Sequence, residues 1–189
     1  MSILLSVIMP VCCQEKNIQE AINRVGGLPL EKEIVVVNDC SGEDIESALR
    51  GVSLPGLKVI HHVSNRGKAS AVRSGLENAS GEFVIIREPE SSDEPSVYLK
   101  LLEAIRGNGT DLVLGVRGRK PFSIKNRLLE AVFNAAFGAK INDWFSPYLV
   151  MRRESLISLA PCLKKDNISF EILTKVLRKK MRLLEVSIL

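Results

Sequence analysis

Short apolar runs of strand length alternate with helical patterns along most of this chain. The runs are rich in β-branched residues and occur at Leu4–Met9, Glu33–Val37, Leu57–Val63, Phe83–Ile86 and Leu112–Val116. Apolar residues at helical spacing predict helices between them, over Glu15–Val25, Glu43–Arg50, Lys68–Asn78 and Pro95–Arg106. Parallel strands need crossover connections, which are usually helices. The alternation therefore predicts an α/β fold with a mostly parallel sheet and helices on both faces.

After Arg117 the alternation weakens, although the elements remain readable. The pattern predicts helices over Ser123–Gly138, Arg153–Pro161 and Ser169–Lys179, and strands over Tyr148–Met151 and Leu183–Ile188. A chain of 189 residues without an internal repeat is predicted to form a single domain, residues 1–189.

Composition excludes several classes of protein. A net charge of +4 and 5% aromatic residues give little support to a nucleic-acid partner. No apolar run reaches the roughly 18 residues that a membrane-spanning helix needs. The four cysteines lack paired CxxC spacing, and no charged leader precedes an apolar stretch, so we expect a reduced, cytoplasmic location.

Four polar segments follow the first four predicted strands. In open α/β sheets, ligands bind outside the carboxyl ends of the strands, so these segments are expected to converge on one binding edge. The segments are Pro10–Glu15, Asn38–Ser41, Asn65–Lys68 and Arg87–Glu90.

Two glutamates in the fourth segment are the candidate metal ligands. Glu88 and Glu90 flank Pro89, and the extended geometry expected before a proline projects them to the same side. Mg²⁺ or Mn²⁺ prefers carboxylate oxygen and is typically held by one or two carboxylates plus substrate phosphates. A charged loop that simply ends the strand is the alternative interpretation.

Other residues of the edge are candidates for anion and nucleoside binding. Gly67 and Lys68 open a predicted helix, where backbone amides and the helix dipole favour a phosphate. Asp39 and Glu15 are acceptors for a nucleobase or ribose, or else a helix cap and a surface charge.

Basic residues after the fifth strand form a second candidate site. Bidentate arginine contacts suit a phosphorylated acceptor, and a solvated basic loop is the alternative. The residues are Arg117, Arg119, Lys120, Lys125 and Arg127.

Basic residues between Lys175 and Arg182 are interpreted as a solvent face, with a membrane-surface role as the alternative. Cys12, Cys13 and Cys40 also fall at the edge, but buried free thiols explain them better than zinc, because His61 and His62 are placed inside the third strand.

The order of these motifs resembles the family two glycosyltransferases of the GT-A fold, in the branch of dolichyl-phosphate mannosyltransferase and related polyprenyl-phosphate enzymes. SVIMPVCCQE resembles that family's first strand with its P-V-Y-N-E-E loop, and EIVVVNDCS resembles V-V-D-D-G-S. NRGKASAVRSG matches the N-x-G-K-x-x-A helix start, and GEFVIIREPE stands where the family has D-x-D. GVRG and INDWFSPYLVMRRESL resemble its G-S-R and T-D-x-x-x-G-Y-K-x-x-R-R elements.

The resemblance implies a three-layer α/β/α GT-A fold, with a nucleotide-binding half in residues 1–117 and an acceptor half in residues 118–189. It implies a nucleotide site, metal ligands for Mg²⁺ or Mn²⁺ at Glu88 and Glu90, and acceptor-site residues at Arg117, Arg127 and Asp143. The nucleotide-site residues would be Pro10, Glu15, Asn38, Asp39, Ser41, Gly67, Lys68 and Glu88. The implied partners are a GDP- or UDP-linked sugar and a lipid-phosphate acceptor, with contact to a membrane surface or a membrane partner protein.

Departures from the family pattern concentrate at the predicted site. Cys12 and Cys13 replace Tyr and Asn, Asn38 replaces the first Asp of the nucleoside pair, and Cys40 replaces its Gly. Both aspartates of D-x-D are glutamates.

The resemblance and the departures lead to two hypotheses. The first hypothesis is an inverting, metal-assisted glycosyltransferase in which Asp143 is the base candidate for a hydroxyl acceptor. The second is a catalytically silent member of the family that serves as a binding or assembly module.

Overall fold

The computed structural model describes residues 4–11, 18–40, 43–88, 96–107, 109–118, 124–164 and 167–188, with the side chains of all of these except 43, 44, 46 and 124–127. Seven strands lie in the described part of the chain. They are β1 Leu5–Val11, β2 Lys32–Asn38, β3 Leu57–His61, β4 Phe83–Ile86, β5 Leu112–Val116, β6 Leu149–Arg152 and β7 Leu183–Ser187.

Helices connect these strands. They are α1 Ile18–Gly26, α2 Glu43–Leu49, α3 Lys68–Asn78, α4 Ser96–Gly107, α5 Ile124–Phe137, α6 Arg153–Leu159 and α7 Ile168–Arg178, and a 3₁₀ turn over Ala160–Cys162 extends α6. No helix in the described ranges is long and apolar enough to cross a bilayer.

The strands form one sheet in the order β3-β2-β1-β4-β6-β5-β7. β1 pairs in parallel with β2 and β4, β2 with β3, and β5 with β7, whereas β6 runs antiparallel to β4 and β5. The mostly parallel sheet predicted from the sequence is confirmed. Because β6 is reversed, the residues that precede it lie at the same edge as the carboxyl ends of the other strands.

Strand side chains alternate between two cores. Ile8 and Val35 face a core shared with α3, α6 and α7, while Val7 and Ile34 face a core shared with α1 and α4. The period of two in a strand explains why continuous apolar runs suit this sheet, since both faces are covered by helices. The result is the predicted three-layer α/β/α arrangement.

Two predicted strand ends differ from the structure by two residues, and the other strand ends agree to within one residue. β1 continues through Pro10 to Val11 rather than stopping at Met9. The Ile8 carbonyl accepts from Arg87 N on the β4 side, so the missing N–H of Pro10 faces that same side, beyond the last β4 residue paired with β1. No ladder hydrogen bond is lost there, which is why the strand tolerates the proline.

The third strand ends at His61 instead of Val63. His62 therefore lies beyond the strand, at the binding edge, and its placement inside the strand was wrong. Its backbone N–H still donates to Asn38 O at 2.8 Å, which holds the segment beside β2.

A buried carboxylate organises the opposite, amino edge of the sheet. Glu33 is fully buried and accepts from Ser6 Oγ at 2.6 Å and from Ser80 Oγ at 2.9 Å, while Lys58 Nζ lies 2.7 Å from its Oε2. Burial alone would raise the pKa of this carboxyl, but the contacts with Lys58, Ser6 and Ser80 outweigh it and lower the pKa to about 2. This cluster links the first strands of the sheet far from the binding edge.

Candidate functional site

A cavity of about 340 Å³ opens at the carboxyl edge of the sheet. Its walls come from the start of α3, the segment after β4, the segment before β6 and the start of α7. The lining residues are Lys68, Ile86, Arg87, Glu88, Tyr98, Phe145, Ser146, Pro147, Asn167, Ile168 and Ser169. Segments distant in sequence thus meet at one pocket, as the topology predicted.

Lys68 and Glu88 face each other in this pocket. Lys68 Nζ donates to Glu88 Oε1, and the Glu88 side chain is 58% exposed. Gly67, the N-cap of α3, has φ 82°, and a Cβ added there would meet no heavy atom of the described residues within 4 Å. Open space above a glycine at a helix N-terminus lets an anionic group approach the backbone closely.

Arg87 is the buried cation of the pocket. Its residue is only 2% exposed, and its guanidinium carbon lies 6.0 Å from the Tyr98 ring centroid. The sequence predicted polar residues after β4 but did not single out this arginine. A buried guanidinium beside Glu88 raises the local positive potential and favours an anionic ligand.

Asp39 directly follows the second strand, is buried, and is held by the segment between β3 and α3. Its Oδ1 accepts from His62 Nδ1 at 2.7 Å and from Arg66 N at 2.8 Å, and His62 Nε2 lies 2.9 Å from Ser74 Oγ. Burial would raise the pKa of the Asp39 carboxyl, but the hydrogen bonds from Arg66 N and His62 outweigh it and hold that pKa below its ordinary value. Asp39 Oδ2 is buried and has no hydrogen-bond partner among the described residues.

Asn38 and Cys40 flank this carboxylate. Asn38 Nδ2 lies 3.3 Å from His61 Nδ1, and Asn38 is 6% exposed. Cys40 has φ 62°, a left-handed conformation that favours glycine. The cysteine therefore adopts a left-handed backbone conformation at the position where the resemblance expects glycine.

Arg117 and Asp143 form a bidentate ion pair just after β5 and just before β6. Arg117 Nε and Nη2 donate to Asp143 Oδ2 and Oδ1, each at 2.8 Å, and Nη2 also donates to Phe145 O at 3.0 Å. Asp143 is fully buried, and the Arg117 side chain is 26% exposed. Phe145 lines the cavity, so the pair lies directly beside it.

Several predicted site residues lie outside the described parts of the chain. These are Cys12, Cys13, Glu15, Ser41, Glu90, Arg119 and Lys120, and also the side chains of Lys125 and Arg127, whose backbones belong to α5. Pro10 is described and is buried within β1. Among the described residues, Lys68 and Glu88 meet in the cavity, Arg117 and Asp143 meet beside it, and Asn38, Asp39 and Gly67 lie along the same edge.

Besides Arg87, three functional candidates were missed by the sequence analysis. His62 was assigned to a strand, and Ser146 and Asn167 had no motif of their own. Ser146 Oγ donates to Gly115 O at 2.5 Å, which fixes the segment before β6 against β5. Asn167 is the N-cap of α7 and accepts a hydrogen bond from Phe170 N at 3.2 Å. An asparagine directly before an apolar helical pattern is the sequence signal that could have indicated this cap.

Neither described cysteine supports a thiol metal site. Cys40 and Cys162 are free and exposed. In the part of the chain that the structure describes, no group of three or more His, Cys, Asp or Glu residues could hold a metal ion.

Known proteins resemble the chain in sequence. It is 35% identical over 124 residues to a dolichol-phosphate mannosyltransferase of Pyrococcus furiosus, covering 64% of this chain and 35% of that protein. It is 25% identical over 172 residues to an undecaprenyl-phosphate 4-deoxy-4-formamido-L-arabinose transferase of Erwinia tasmaniensis, covering 85% and 53%. The chain therefore spans about a third to a half of the length of these relatives.

A solved structure shares the fold. Glucosyl-3-phosphoglycerate synthase from Mycobacterium tuberculosis, crystallised with Mn²⁺, UDP and glucosyl-3-phosphoglycerate, superposes with a TM-score of 0.76 at 17% identity. The match covers 98% of this chain and 70% of that one. This likeness confirms the GT-A architecture expected from the sequence.

The family model for glycosyl transferase family 2 matches residues 6–155, which include Asp39, Lys68, Glu88, Arg117 and Asp143. The chain belongs to glycosyl transferase family 2.

Proposed function

We propose that this chain is an inverting glycosyltransferase domain that moves a sugar from a nucleotide diphosphate sugar to a polyprenyl or dolichyl phosphate, or to a similar acceptor. The observation that carries the proposal is the cavity in which Lys68 and Glu88 meet, with the Arg117–Asp143 pair beside it. The relatives in P. furiosus and E. tasmaniensis, whose names specify dolichol phosphate and undecaprenyl phosphate, support the acceptor class.

Residues 1–117 would bind the donor. Asp39 Oδ2 is a buried acceptor without a partner among the described residues, which suits an N–H or O–H of the nucleoside. Gly67 and Lys68 would receive the diphosphate at the N-terminus of α3, where backbone amides and a lysine ammonium favour anionic oxygens. Pro10, Glu15, Asn38 and Ser41 complete the proposed nucleotide site.

Glu88 fits a divalent ion as one ligand. It lines the cavity with an exposed carboxylate, and Mg²⁺ or Mn²⁺ accepts one or two carboxylates together with phosphate oxygens. Glu90 is the proposed second ligand. When bound, the ion would stabilise negative charge on the departing nucleoside diphosphate. Lys68, in contact with Glu88, would share this role and orient the carboxylate.

Residues 118–189, together with Arg117, would form the acceptor side. A phosphate acceptor has a second pKa of about 6 and is largely ionised near neutral pH, so it needs no strong base. Arg117 would hold it and be oriented by Asp143, while Arg127 would add a second cation. The acceptor oxygen would attack the sugar carbon from the face opposite the leaving diphosphate, which inverts that carbon.

A base role for Asp143 stays a prediction for hydroxyl acceptors. Its two oxygens already accept from Arg117, and the residue is fully buried, so the geometry favours a positioning role. The lipid-phosphate acceptor would place the domain at a membrane surface, directly or through a membrane partner protein.

Thermal unfolding with a panel of UDP- and GDP-sugars, each with and without Mn²⁺ or Mg²⁺, tests the donor site. A ligand at about 100 times its Kd adds about 2.7 kcal/mol of stability, which is an easily measured shift. We expect at least one donor to stabilise the chain in a metal-dependent manner, and the Glu88→Ala, Glu90→Ala double variant to lose that dependence. The exposed Glu77→Gln is the matched control. No stabilisation by any donor would favour the catalytically silent module.

A further inference from the structure

A second cavity, of about 380 Å³, opens between α3 and α6, and we call it the α3–α6 groove. Arg153, which lines it, directly follows β6, and its backbone N–H donates to the carbonyl of Glu82 just before β4. The groove therefore lies toward the amino edge of the sheet. None of its described lining residues also lines the cavity at the carboxyl edge, so the two cavities are separate.

The walls of the groove are mainly apolar. Leu76 of α3 and Ala160 belong to the core and are 2% and 9% exposed. Ile157 and Pro161 also line the groove, and Ile157 is 43% exposed although it is a large aliphatic side chain. Apolar walls with a few polar groups are typical of ligand pockets, whose volumes run from about 300 to 1,000 Å³. An apolar group in the groove would remove the exposed part of Ile157 from water.

Three charged side chains line the same groove. They are Arg73, Glu77 and Arg153, which belong to α3 and α6. No ion pair of the described residues includes any of them. Arg73 Nη1 donates to Leu163 O at 2.6 Å, whereas Arg153 Nε is buried without a hydrogen-bond partner in the described part of the chain. The walls therefore carry one positive charge in excess, on guanidinium groups that no described carboxylate neutralises.

The charges and the apolar walls together define the class of ligand. A guanidinium group presents its N–H donors in a planar fork that matches the two oxygens of a carboxylate. A carboxylate carries one negative charge and balances the groove, whereas a phosphate monoester carries about 1.5 to 2 near neutral pH and would meet Glu77 with excess charge. A protein partner is a poorer occupant, because a stable interface buries about 800 Å² on each side, far more than a cavity of this size offers.

We propose that the α3–α6 groove binds a small carboxylate that carries an apolar chain. The carboxylate contacts Arg73 and Arg153, and the chain packs against Leu76 and Ile157. This binding site goes beyond the proposed function and does not depend on it, because the donor and the acceptor are assigned to the carboxyl edge of the sheet.

Titration calorimetry with octanoate, octan-1-ol and octylammonium tests the assignment. The three probes have the same apolar chain and differ in the charge of the head group. At constant ionic strength, we expect octanoate to bind the 189-residue chain saturably at one site. Octan-1-ol should bind about tenfold more weakly, because its neutral head group forms no charge-assisted hydrogen bond, and octylammonium should not bind detectably.

Variants of the walls separate the contribution of the head group from that of the chain. Arg153→Gln should weaken octanoate binding about tenfold and leave octan-1-ol binding unchanged. Ile157→Ser should weaken the binding of both probes about threefold to tenfold, because it removes an apolar wall. Glu77→Gln should instead tighten octanoate binding about threefold, since it removes a like charge. A gain of affinity is not produced by loss of structure.

Arg50→Gln is the matched control, since Arg50 is an exposed arginine directly after α2 and does not line the groove. It should bind octanoate as the unmodified chain does. Equal thermal unfolding midpoints of the variants would show that the fold is kept.

Three results would overturn the proposal. The first is absent saturable binding of octanoate by the unmodified chain, or octanoate binding that Arg153→Gln and Ile157→Ser leave unchanged. The second is a loss of octanoate binding in Lys68→Met but not in Arg153→Gln, which would place the probe in the cavity at the carboxyl edge. The third is a dimer, seen by light scattering, that Ile157→Ser dissociates, which would make a second copy of the chain the occupant of the groove.

Discussion

Arg117 donates hydrogen bonds to both carboxylate oxygens of Asp143, with Nε–Oδ2 and Nη2–Oδ1 distances of 2.8 Å each. Arg117 directly follows β5, and Asp143 lies before β6, the antiparallel neighbour of β5, so the pair ties two segments together at the binding edge. Arg117 also holds Phe145 O, which links the pair to the cavity wall. The pair therefore links the segment after β5 to the wall of the cavity.

Asp143→Asn should weaken the use of acceptor more than the binding of donor. The change removes a charge-assisted bidentate contact, and hydrogen bonds to charged groups are worth about 1.5 to 3 kcal/mol, so kcat/KM for the acceptor should fall about tenfold to a hundredfold. Donor binding, measured by thermal shift, should change little. Steady-state kinetics with a polyprenyl phosphate acceptor gives the comparison.

Arg117→Lys and Arg152→Lys form a matched pair for the same question. Arg152 pairs with Glu82 at 3.1 Å at the opposite edge of the sheet. Lysine keeps the charge but loses the planar fork, so activity should fall in the Arg117 variant and persist in the Arg152 variant. Similar losses in both variants would assign a general stability effect to these arginines.

His62→Ala should weaken nucleotide binding by about tenfold, because it removes one of the donors that orient the Asp39 carboxylate. His62→Asn can still donate to Asp39 and should restore part of the affinity. Val63→Ala serves as the control, since Val63 directly follows His62 and its side chain is fully exposed. Titration calorimetry with UDP and GDP measures the effect, and equal affinities in all three variants would refute the role of His62.

Glu33 should make the stability of the fold depend on pH below neutrality. Its pKa falls from 4.5 to about 2 on folding, so its contribution is complete above pH 4.5 and is lost as the pH falls toward 2. Glu33→Gln should lower the free energy of unfolding by about 2 to 3 kcal/mol at pH 7 and by progressively less in acid. Urea unfolding at several pH values checks this, with Glu77→Gln as an exposed control.

Lys68→Met separates the lysine from any metal ion. Lys68 contacts Glu88 and lines the cavity, so its loss should reduce diphosphate affinity about tenfold whether or not Mn²⁺ is present. Glu88→Gln should instead reduce the difference between affinities with and without Mn²⁺. Calorimetry with UDP, with the ion and with a chelator, distinguishes the two effects. A loss in the lysine variant confined to the metal-containing samples would contradict an independent role for Lys68.

The architecture was predictable because the apolar runs, the helical patterns between them and their alternation all indicate the same fold. Every residue of the apolar run Phe83–Ile86 is buried. A strand that is apolar at every position fits only a sheet that is covered by helices on both faces. The stop at His61 and the continuation through Pro10 were not predictable, since they depend on where neighbouring strands end. The local sequence of a strand does not determine how far it pairs with its neighbours.

The binding edge was predictable only in outline. Polar residues after each strand placed Asp39, Lys68 and Glu88 at one edge. The pairings depend on distances across the fold, so the contacts of His62 with Asp39 and of Arg117 with Asp143 could not be derived from spacing. The reversed direction of β6, which brings Ser146 to this edge, has no sequence signal of its own.

Sugar transfer itself is the most direct test of the account. The chain would be incubated with the donor that stabilises it most, with Mn²⁺ or Mg²⁺ and a polyprenyl phosphate, and the glycolipid and released nucleoside diphosphate would be quantified. We predict equal amounts of both products from the unmodified chain and neither from the Glu88→Ala, Glu90→Ala variant. Donor binding without any transfer or hydrolysis, or transfer that survives in the double variant, would contradict the proposed role of this pocket.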